Sequence, residues 1–197
     1  MNLPNKLSLI RVALVPVIIT VELFPYNAFD ISLPLITLLG ISISLKNIII
    51  LVLFLFACIT DFLDGNIARK NNLVTSFGKF IDPVADKAVI NTMFIIFAYN
   101  HSVPVLPVIA MILRDIVIDG CRMVASGKGA VVAADFYGKL KTVCQMVCII
   151  FVLINNFPFE AFNIQFTTIL VWFTALISLF SGYNYYRQVK PYIFASF

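Results

Sequence analysis

The chain has 197 residues, of which 61% are hydrophobic and 12% are charged. Soluble domains carry about 25% charged residues, so this composition excludes an ordinary water-soluble protein. The formal net charge is +4, from fourteen Lys and Arg residues against ten Asp and Glu residues. We therefore expect a single all-α integral membrane domain that covers residues 1–197.

Apolar segments recur along the chain, each close to the roughly 20 residues that cross a bilayer. They predict six transmembrane helices arranged around a polar cavity. The predicted helices cover residues 6–24, 47–69, 78–99, 103–126, 137–155 and 164–187.

Basic residues are distributed unequally between the two ends of these helices. Thirteen of the fourteen fall on one side of the membrane, and only Lys46 falls on the other. Because cytoplasmic loops are enriched in Lys and Arg, we expect a multi-pass cell-membrane protein with both termini and the cavity facing the cytoplasm. The four cysteines match neither a zinc site nor a disulfide framework, and we expect them to be reduced.

Aspartates follow a helical spacing in the second and third predicted helices. Residues three or four apart lie on one face of a helix. One face of the second helix carries Asp61, Asp64, Gly65 and Ala68. One face of the third carries Gly78, Asp82 and Asp86. We expect the two aspartate stripes to face each other, with either a kink at Pro83 or a helix start near Asp82.

Four carboxylates at the ends of apolar segments need compensating positive charge. An acidic side chain at the centre of a span costs about 2.5–3.5 kcal/mol on insertion scales. Hard divalent cations bind clustered carboxylate oxygens, so we predict two Mg²⁺ or Mn²⁺ ions, an arrangement that serves displacement at phosphorus. The alternative is a set of solvated helix-end charges paired with nearby Lys and Arg residues.

The aspartate region is similar to the signature of the CDP-alcohol phosphotransferases, which are six-helix membrane enzymes. The matching pattern is Asp61-x₂-Asp64-Gly65-x₂-Ala68-Arg69-x₈-Gly78-x₃-Asp82-x₃-Asp86. The resemblance implies that Asp61, Asp64 and Asp82 hold one metal ion, and that Asp61, Asp82 and Asp86 hold the second. It also implies that Asp86 takes the proton from the acceptor hydroxyl.

The same resemblance implies a binding site for a CDP-linked lipid, with Arg11 near the nucleotide. The residues implied to contact CDP-diacylglycerol are Asn5, Gly65, Ala68, Arg69, Thr75 and Gly78. Members of the family are commonly homodimers, so a homodimer is expected here.

A second basic cluster consists of Arg114, Arg122, Lys139 and Lys141. It favours an anionic acceptor, most simply a phosphate ester, because guanidinium and ammonium groups pair with phosphate. The alternative is ordinary cytoplasmic-side charge, with the arginines paired locally to Asp115 and Asp119. The run GK-x-KT-x₂-Q at 138–145 resembles the phosphatidylglycerophosphate synthase branch of the family, although Asp115 stands where Glu is more common.

The resemblance implies transfer of a phosphatidyl group from CDP-diacylglycerol to glycerol 3-phosphate, giving phosphatidylglycerophosphate and CMP. Other acceptors used within the family are phosphatidylglycerol, as in cardiolipin synthases, inositol phosphate and serine. Membrane prenyltransferases also bind diphosphates through aspartates, but they are usually longer. A divalent-cation transporter is an alternative of another class, although it would place acidic residues near the middle of the membrane. No nucleic-acid partner is expected.

Overall fold

The structure, a computed structural model, describes residues 2–38, 40–70, 75–127 and 136–194. These residues form six α-helices, which confirms the predicted number. The helices are α1 (Leu3–Leu23), α2 (Leu45–Lys70), α3 (Ser76–Tyr99), α4 (Val105–Gly127), α5 (Phe136–Leu153) and α6 (Phe166–Phe194). Short 3₁₀ helices at Tyr26–Phe29 and Phe159–Phe162 follow α1 and α5, respectively.

The helix ends lie within three residues of their predicted positions, except for the end of α6. The first helix begins at Leu3 because Pro4, in its first turn, has no N–H group to leave unpaired. The last continues to Phe194 through Arg187 and Lys190, since Arg and Lys are good helix formers. The third begins at Ser76 and runs through Pro83, so the predicted alternative of a helix start near Asp82 is wrong.

Three helical segments of the described chain are long and apolar enough to cross a membrane: Leu45–Gly65, Phe136–Leu153 and Phe166–Pro191. The helices α1, α3 and α4 each contain three or four charged residues, which interrupt their apolar character. Six transmembrane spans around a cytoplasmic cavity therefore stay a prediction.

A β-hairpin that the sequence reading missed lies between α1 and α2. Its strands are β1 (Leu35–Leu38) and β2 (Ile41–Ser44), with Leu35 opposite Ser44 and Leu38 opposite Ile41. Gly40, in the turn, has a φ of 83°, which glycine adopts without strain. The segment is too short for a membrane span, so a search for long apolar runs does not find it.

The chain divides into two compact units. The first unit comprises Met1–Ile96 and Ile149–Ile164, and the second comprises Phe97–Cys148 and Gln165–Phe197. A single domain over residues 1–197 stays a prediction.

In the first unit, α1 packs antiparallel against α2. Lys46 Nζ, at the start of α2, lies 2.8 Å from Glu22 Oε1, at the end of α1. Ile18 of α1 and Ile50 and Phe54 of α2 belong to the buried core. This packing carries the first turns of α1 to the far end of α2, where the aspartates lie.

In the second unit, α4 packs against α6. Ile118 and Ala125 of α4 form a buried apolar cluster with Tyr185 and Val189 of α6. The contact sets the register of the two helices. It brings the charged residues of α4 against Ser178 and Ser181 of α6.

Candidate active site

The four aspartates meet around Arg11 and Ser8, which lie on α1. The guanidinium of Arg11 donates through Nη1 to Asp61 Oδ1 at 2.6 Å and also to Asp86 Oδ1. Its Nη2 donates to Asp64 Oδ2. Asp61 and Asp64 come from α2 and Asp86 from α3, so the two aspartate stripes face each other across α1.

The hydroxyl of Ser8 completes this arrangement. Its Oγ lies 3.4 Å from Asp64 Oδ2, and it also hydrogen-bonds Asp82 Oδ1. A hydroxyl has one hydrogen to donate, so it serves one carboxylate at a time. Because Ser8 and Arg11 are three residues apart, one face of α1 contacts all four aspartates.

Burial distinguishes the three carboxylates that contact Arg11. The side chains of Arg11 and Asp64 are 1% and 3% exposed, whereas those of Asp61 and Asp86 are 38% and 39% exposed. Asp64 is therefore enclosed by protein. Asp61 and Asp86 can be reached by a small molecule, as a group that acts on substrate must be.

Three of the predicted lipid-donor contacts lie together beside this cluster. Thr75 Oγ1 donates to Asn5 Oδ1 at 3.0 Å, and the backbone N–H of Gly78 donates to Thr75 Oγ1 at 3.0 Å. A Cβ atom at Gly78 would lie 3.0 Å from Asn5 Oδ1, so the close approach depends on glycine. Gly65 directly follows the buried Asp64, and the side chains of Ala68 and Arg69 lie outside the described residues.

No group of three or more His, Cys, Asp or Glu side chains in the described part of the chain is arranged to hold a metal ion. The carboxylates are instead arranged around the guanidinium of Arg11. Three of them converge on this one cation, and their donor atoms are all oxygen, which Mg²⁺ and Mn²⁺ prefer. The residues therefore fit a hard divalent cation in chemistry and in charge.

A second charged group lies in the second unit, where Arg114 and Lys141 share Asp115. Lys141 Nζ lies 2.5 and 2.6 Å from the two oxygens of Asp115, and Arg114 Nη1 lies 2.9 Å from Oδ1. All three side chains are largely buried. Two of the predicted acceptor-binding cations are thus brought together, and the local pairing of Arg114 with Asp115 that was considered as an alternative is present.

The remaining donors of Arg114 reach α6. Its Nε donates to the backbone carbonyl of Ser178 at 3.0 Å, and its Nη2 donates to Ser181 Oγ at 2.8 Å. A Cβ atom at Gly182 would lie 2.9 Å from Arg114 Cγ, so glycine leaves the space that this side chain occupies.

The other two predicted acceptor-binding residues have different surroundings. Arg122 is exposed, with its guanidinium carbon 5.6 Å from the centre of the Tyr185 ring. Lys139 is exposed in the first turn of α5. The structure therefore gives Arg114 and Lys141 fixed positions and leaves Arg122 and Lys139 at the surface.

Several residues of these two groups were missed or only partly found by sequence reasoning. Ser8 was missed altogether, and Arg11 was expected near the nucleotide but not among the aspartates. The signal available for both was a regular spacing, since Asn5, Ser8 and Arg11 follow one another at intervals of three residues. Ser181 and Gly182 were missed because small residues in an apolar helix also mark ordinary helix packing.

Comparison with known proteins assigns the class. Residues 1–180 match the profile of the CDP-alcohol phosphatidyltransferase family, and the chain belongs to this family. A protein of Bacillus subtilis (strain 168) named CDP-diacylglycerol–glycerol-3-phosphate 3-phosphatidyltransferase is 37% identical over 95% of this chain and 94% of its own length. A protein of the same name from Rickettsia bellii (strain RML369-C) is 33% identical, with 97% of each chain covered.

Proposed function

We propose that this protein transfers the phosphatidyl group of CDP-diacylglycerol to glycerol 3-phosphate. The products are phosphatidylglycerophosphate and CMP. The observation that carries the proposal is the complete aspartate signature of the family, with all four carboxylates gathered on one face of α1. The nearly full-length similarity to relatives that bear this activity in their names supports the choice of substrates.

The reaction is a displacement at the lipid-side phosphorus of the donor. The primary hydroxyl oxygen of glycerol 3-phosphate forms a new bond to that phosphorus, and the bond to the bridging oxygen of the diphosphate breaks. CMP leaves with that oxygen. Asp86 accepts the hydroxyl proton, a role for which its exposed carboxylate is accessible.

The other residues of the cluster hold the reacting groups. The aspartates would hold two Mg²⁺ or Mn²⁺ ions, which would supply positive charge to the diphosphate and to the leaving CMP. Ser8 fixes Asp64 and Asp82, and the enclosed Asp64 ties α2 to α1. Asn5, Thr75 and Gly78 lie together on the side of the cluster where the CDP head group would bind. The family signature assigns Gly65, Ala68 and Arg69 to the same head group.

The phosphate of the acceptor binds to the basic cluster of the second unit. Arg114 and Lys141 are held by Asp115, and their combined charge exceeds that of the one carboxylate they share. The exposed Arg122 and Lys139 provide further cations for the phosphate.

The protein works as a multi-pass protein of the cell membrane. The acyl chains of the donor stay in the bilayer while its head group enters from the cytoplasm. Both termini are cytoplasmic, and the functional form is a homodimer, as is common in the family. Large apolar residues are exposed along α4, among them Leu106, Leu113, Ile116 and Met123, which lipid would cover.

The test is CMP release by the purified protein in detergent with Mg²⁺ and CDP-diacylglycerol. Glycerol 3-phosphate, phosphatidylglycerol, inositol phosphate and serine are supplied one at a time. We expect CMP release only when glycerol 3-phosphate is the acceptor. Asp86→Asn should reduce the rate of release at least about a hundredfold, because a general base contributes about 10²–10⁴ to rate. Asp30→Asn, which changes an exposed aspartate outside the cluster, is the matched control and should retain the wild-type rate.

The other outcomes separate the parts of the proposal. Release with a different acceptor would keep the aspartate site and reject the acceptor assignment. Absence of release with every acceptor, from folded protein, would reject the enzyme and favour the cation transporter.

A further inference from the structure

Arg11 occupies an unusual electrostatic position. It is buried in the first unit, and its guanidinium contacts three carboxylates, those of Asp61, Asp64 and Asp86. One positive charge faces three negative charges, so this group by itself carries an excess charge of minus two. Clustered charges of one sign repel each other, although Asp61 and Asp86 are partly exposed, and a further cation would relieve this repulsion.

The hydrogen bonding of Arg11 is also incomplete. Both of its terminal nitrogens donate to carboxylates, but Nε is buried and has no partner among the described residues. A buried donor without an acceptor is costly. The guanidinium is thus held here by the charge of the aspartates, not by a full set of hydrogen bonds.

The oxygens that accept from Arg11 are the same class of atom that the proposed metal needs. Asp61 Oδ1 and Asp86 Oδ1 both accept from the single nitrogen Nη1. A lone pair that accepts a hydrogen bond from Arg11 cannot at the same time be offered to a metal ion. Arg11 and a divalent cation therefore compete for the carboxylates.

We propose that Arg11 is the built-in counter-ion of the metal-free site and releases the carboxylates when a divalent cation binds. The inference rests on the proposed function, because it takes the aspartates as the metal ligands. In this role Arg11 stabilises the folded acidic cluster when metal is scarce. It also weakens metal binding, because it competes with the metal for the carboxylates. In the opposite role, Arg11 would arrange the carboxylates for the metal. Removal of Arg11 would then weaken metal binding instead of strengthening it.

The test compares thermal unfolding of the purified protein in EDTA and across a Mg²⁺ titration. The variants are Arg11→Gln, Arg11→Lys and Lys46→Gln, the last of which breaks the ion pair with Glu22 at the other end of α1. For Arg11→Gln we expect a lower Tm in EDTA, a larger rise in Tm with Mg²⁺, and half-saturation at about tenfold lower Mg²⁺. Arg11→Lys, which keeps the charge but not the fork of donors, should be intermediate.

Lys46→Gln should lower the Tm without changing the Mg²⁺ midpoint. An unchanged or higher Mg²⁺ midpoint in Arg11→Gln would overturn the inference. A rise in Tm with Mg²⁺ in the wild type would in that case still support the proposed metal site. If Arg11→Gln does not fold in EDTA, the Mg²⁺ midpoint of Arg11→Lys is used instead. A midpoint below that of the wild type supports the inference, and an unchanged or higher midpoint overturns it. Absence of any Mg²⁺ or Mn²⁺ response in all variants would overturn both the inference and the metal part of the proposed function.

Discussion

Asp64 and Asp86 are chemically identical side chains in different surroundings. Asp64 is enclosed between Arg11 and Ser8, and Asp86 also contacts Arg11 but keeps an open side. Enclosure suits a carboxylate that joins helices, and an open side suits one that meets a substrate. The identity of the residue type therefore does not fix its task, and its position relative to α1 does.

At this scale we expect Ser8→Ala to impair the site without changing any carboxylate. The buried hydroxyl lies between Asp64 and Asp82 and donates to one of them at a time, and hydrogen bonds to charged groups contribute about 1.5–3 kcal/mol. Loss of a group that orients metal ligands typically costs about 10–100-fold in metal affinity or activity. The rate of CMP release measured against Mg²⁺ concentration checks this, with exposed Ser126→Ala as control. Equal Mg²⁺ dependence in Ser8→Ala and wild type would show that Ser8 has no such role.

Among the elements, α6 contributes more than its apolar sequence indicated. Ser178, Ser181 and Gly182 lie on one face, where they receive and accommodate the side chain of Arg114. The helix thus positions a cation of the proposed acceptor site while its other residues remain apolar. Asp115 of α4 pairs with the same arginine and also with Lys141 of α5.

We expect Gly182→Ala to weaken acceptor binding. Alanine in a helix is normally more stable than glycine by about 1 kcal/mol, but this Cβ would lie 2.9 Å from Arg114 Cγ. Overpacking costs about 1–3 kcal/mol, so the clash should outweigh the helix preference and displace Arg114. The KM for glycerol 3-phosphate should rise about tenfold, with little change in the KM for CDP-diacylglycerol.

Gly120→Ala is the matched control for this experiment, since a Cβ there meets no atom within 4 Å. It should leave both KM values unchanged. An equal rise in the two KM values for Gly182→Ala would indicate a general loss of structure and contradict the positioning of Arg114 by α6.

The number of membrane crossings is a property of the whole molecule. Three helical segments are apolar enough to cross by composition, and some of the charges on α1, α3 and α4, such as Arg11, Asp86 and Arg114, belong to the candidate sites. A membrane enzyme must place such charges inside its bundle, and they weaken the apolar signal of the helices that carry them. The site residues of α2 and α5 lie towards one end of each helix, so these two helices keep an apolar stretch long enough to cross. The exposed apolar residues of α4 agree with a helix that crosses the membrane despite its charges.

Six crossings would put residues 2 and 190 on the same side, whereas three would put them on opposite sides. We expect Asn2→Cys and Lys190→Cys to react with a membrane-impermeant maleimide only in inverted vesicles, and His101→Cys only in intact cells. The cysteines are introduced into a chain whose four native cysteines are replaced, and that chain serves as the unlabelled control. Labelling of residues 2 and 190 from opposite sides would contradict the six-helix topology.

Helix positions and the aspartate stripes could be predicted because both depend on local spacing. Apolar runs of about 20 residues locate helices, and a spacing of three or four places Asp61 beside Asp64 and Asp82 beside Asp86 on common faces. The partners of these residues depend on which helices pack together. The contact of Arg11 with three aspartates, and that of Arg114 with α6, join residues more than 45 positions apart, which spacing does not encode.

Attack of the acceptor hydroxyl on the lipid-side phosphorus can be tested by following the acceptor oxygen through the reaction. Glycerol 3-phosphate labelled with ¹⁸O in its primary hydroxyl is supplied with CDP-diacylglycerol and Mg²⁺, and both products are analysed by mass spectrometry. We expect the label to remain in phosphatidylglycerophosphate, in the new phosphodiester bond, and CMP to carry none. Label in a cytidine-containing product would contradict attack at the lipid-side phosphorus. CMP without labelled lipid would contradict the hydroxyl of glycerol 3-phosphate as the attacking group.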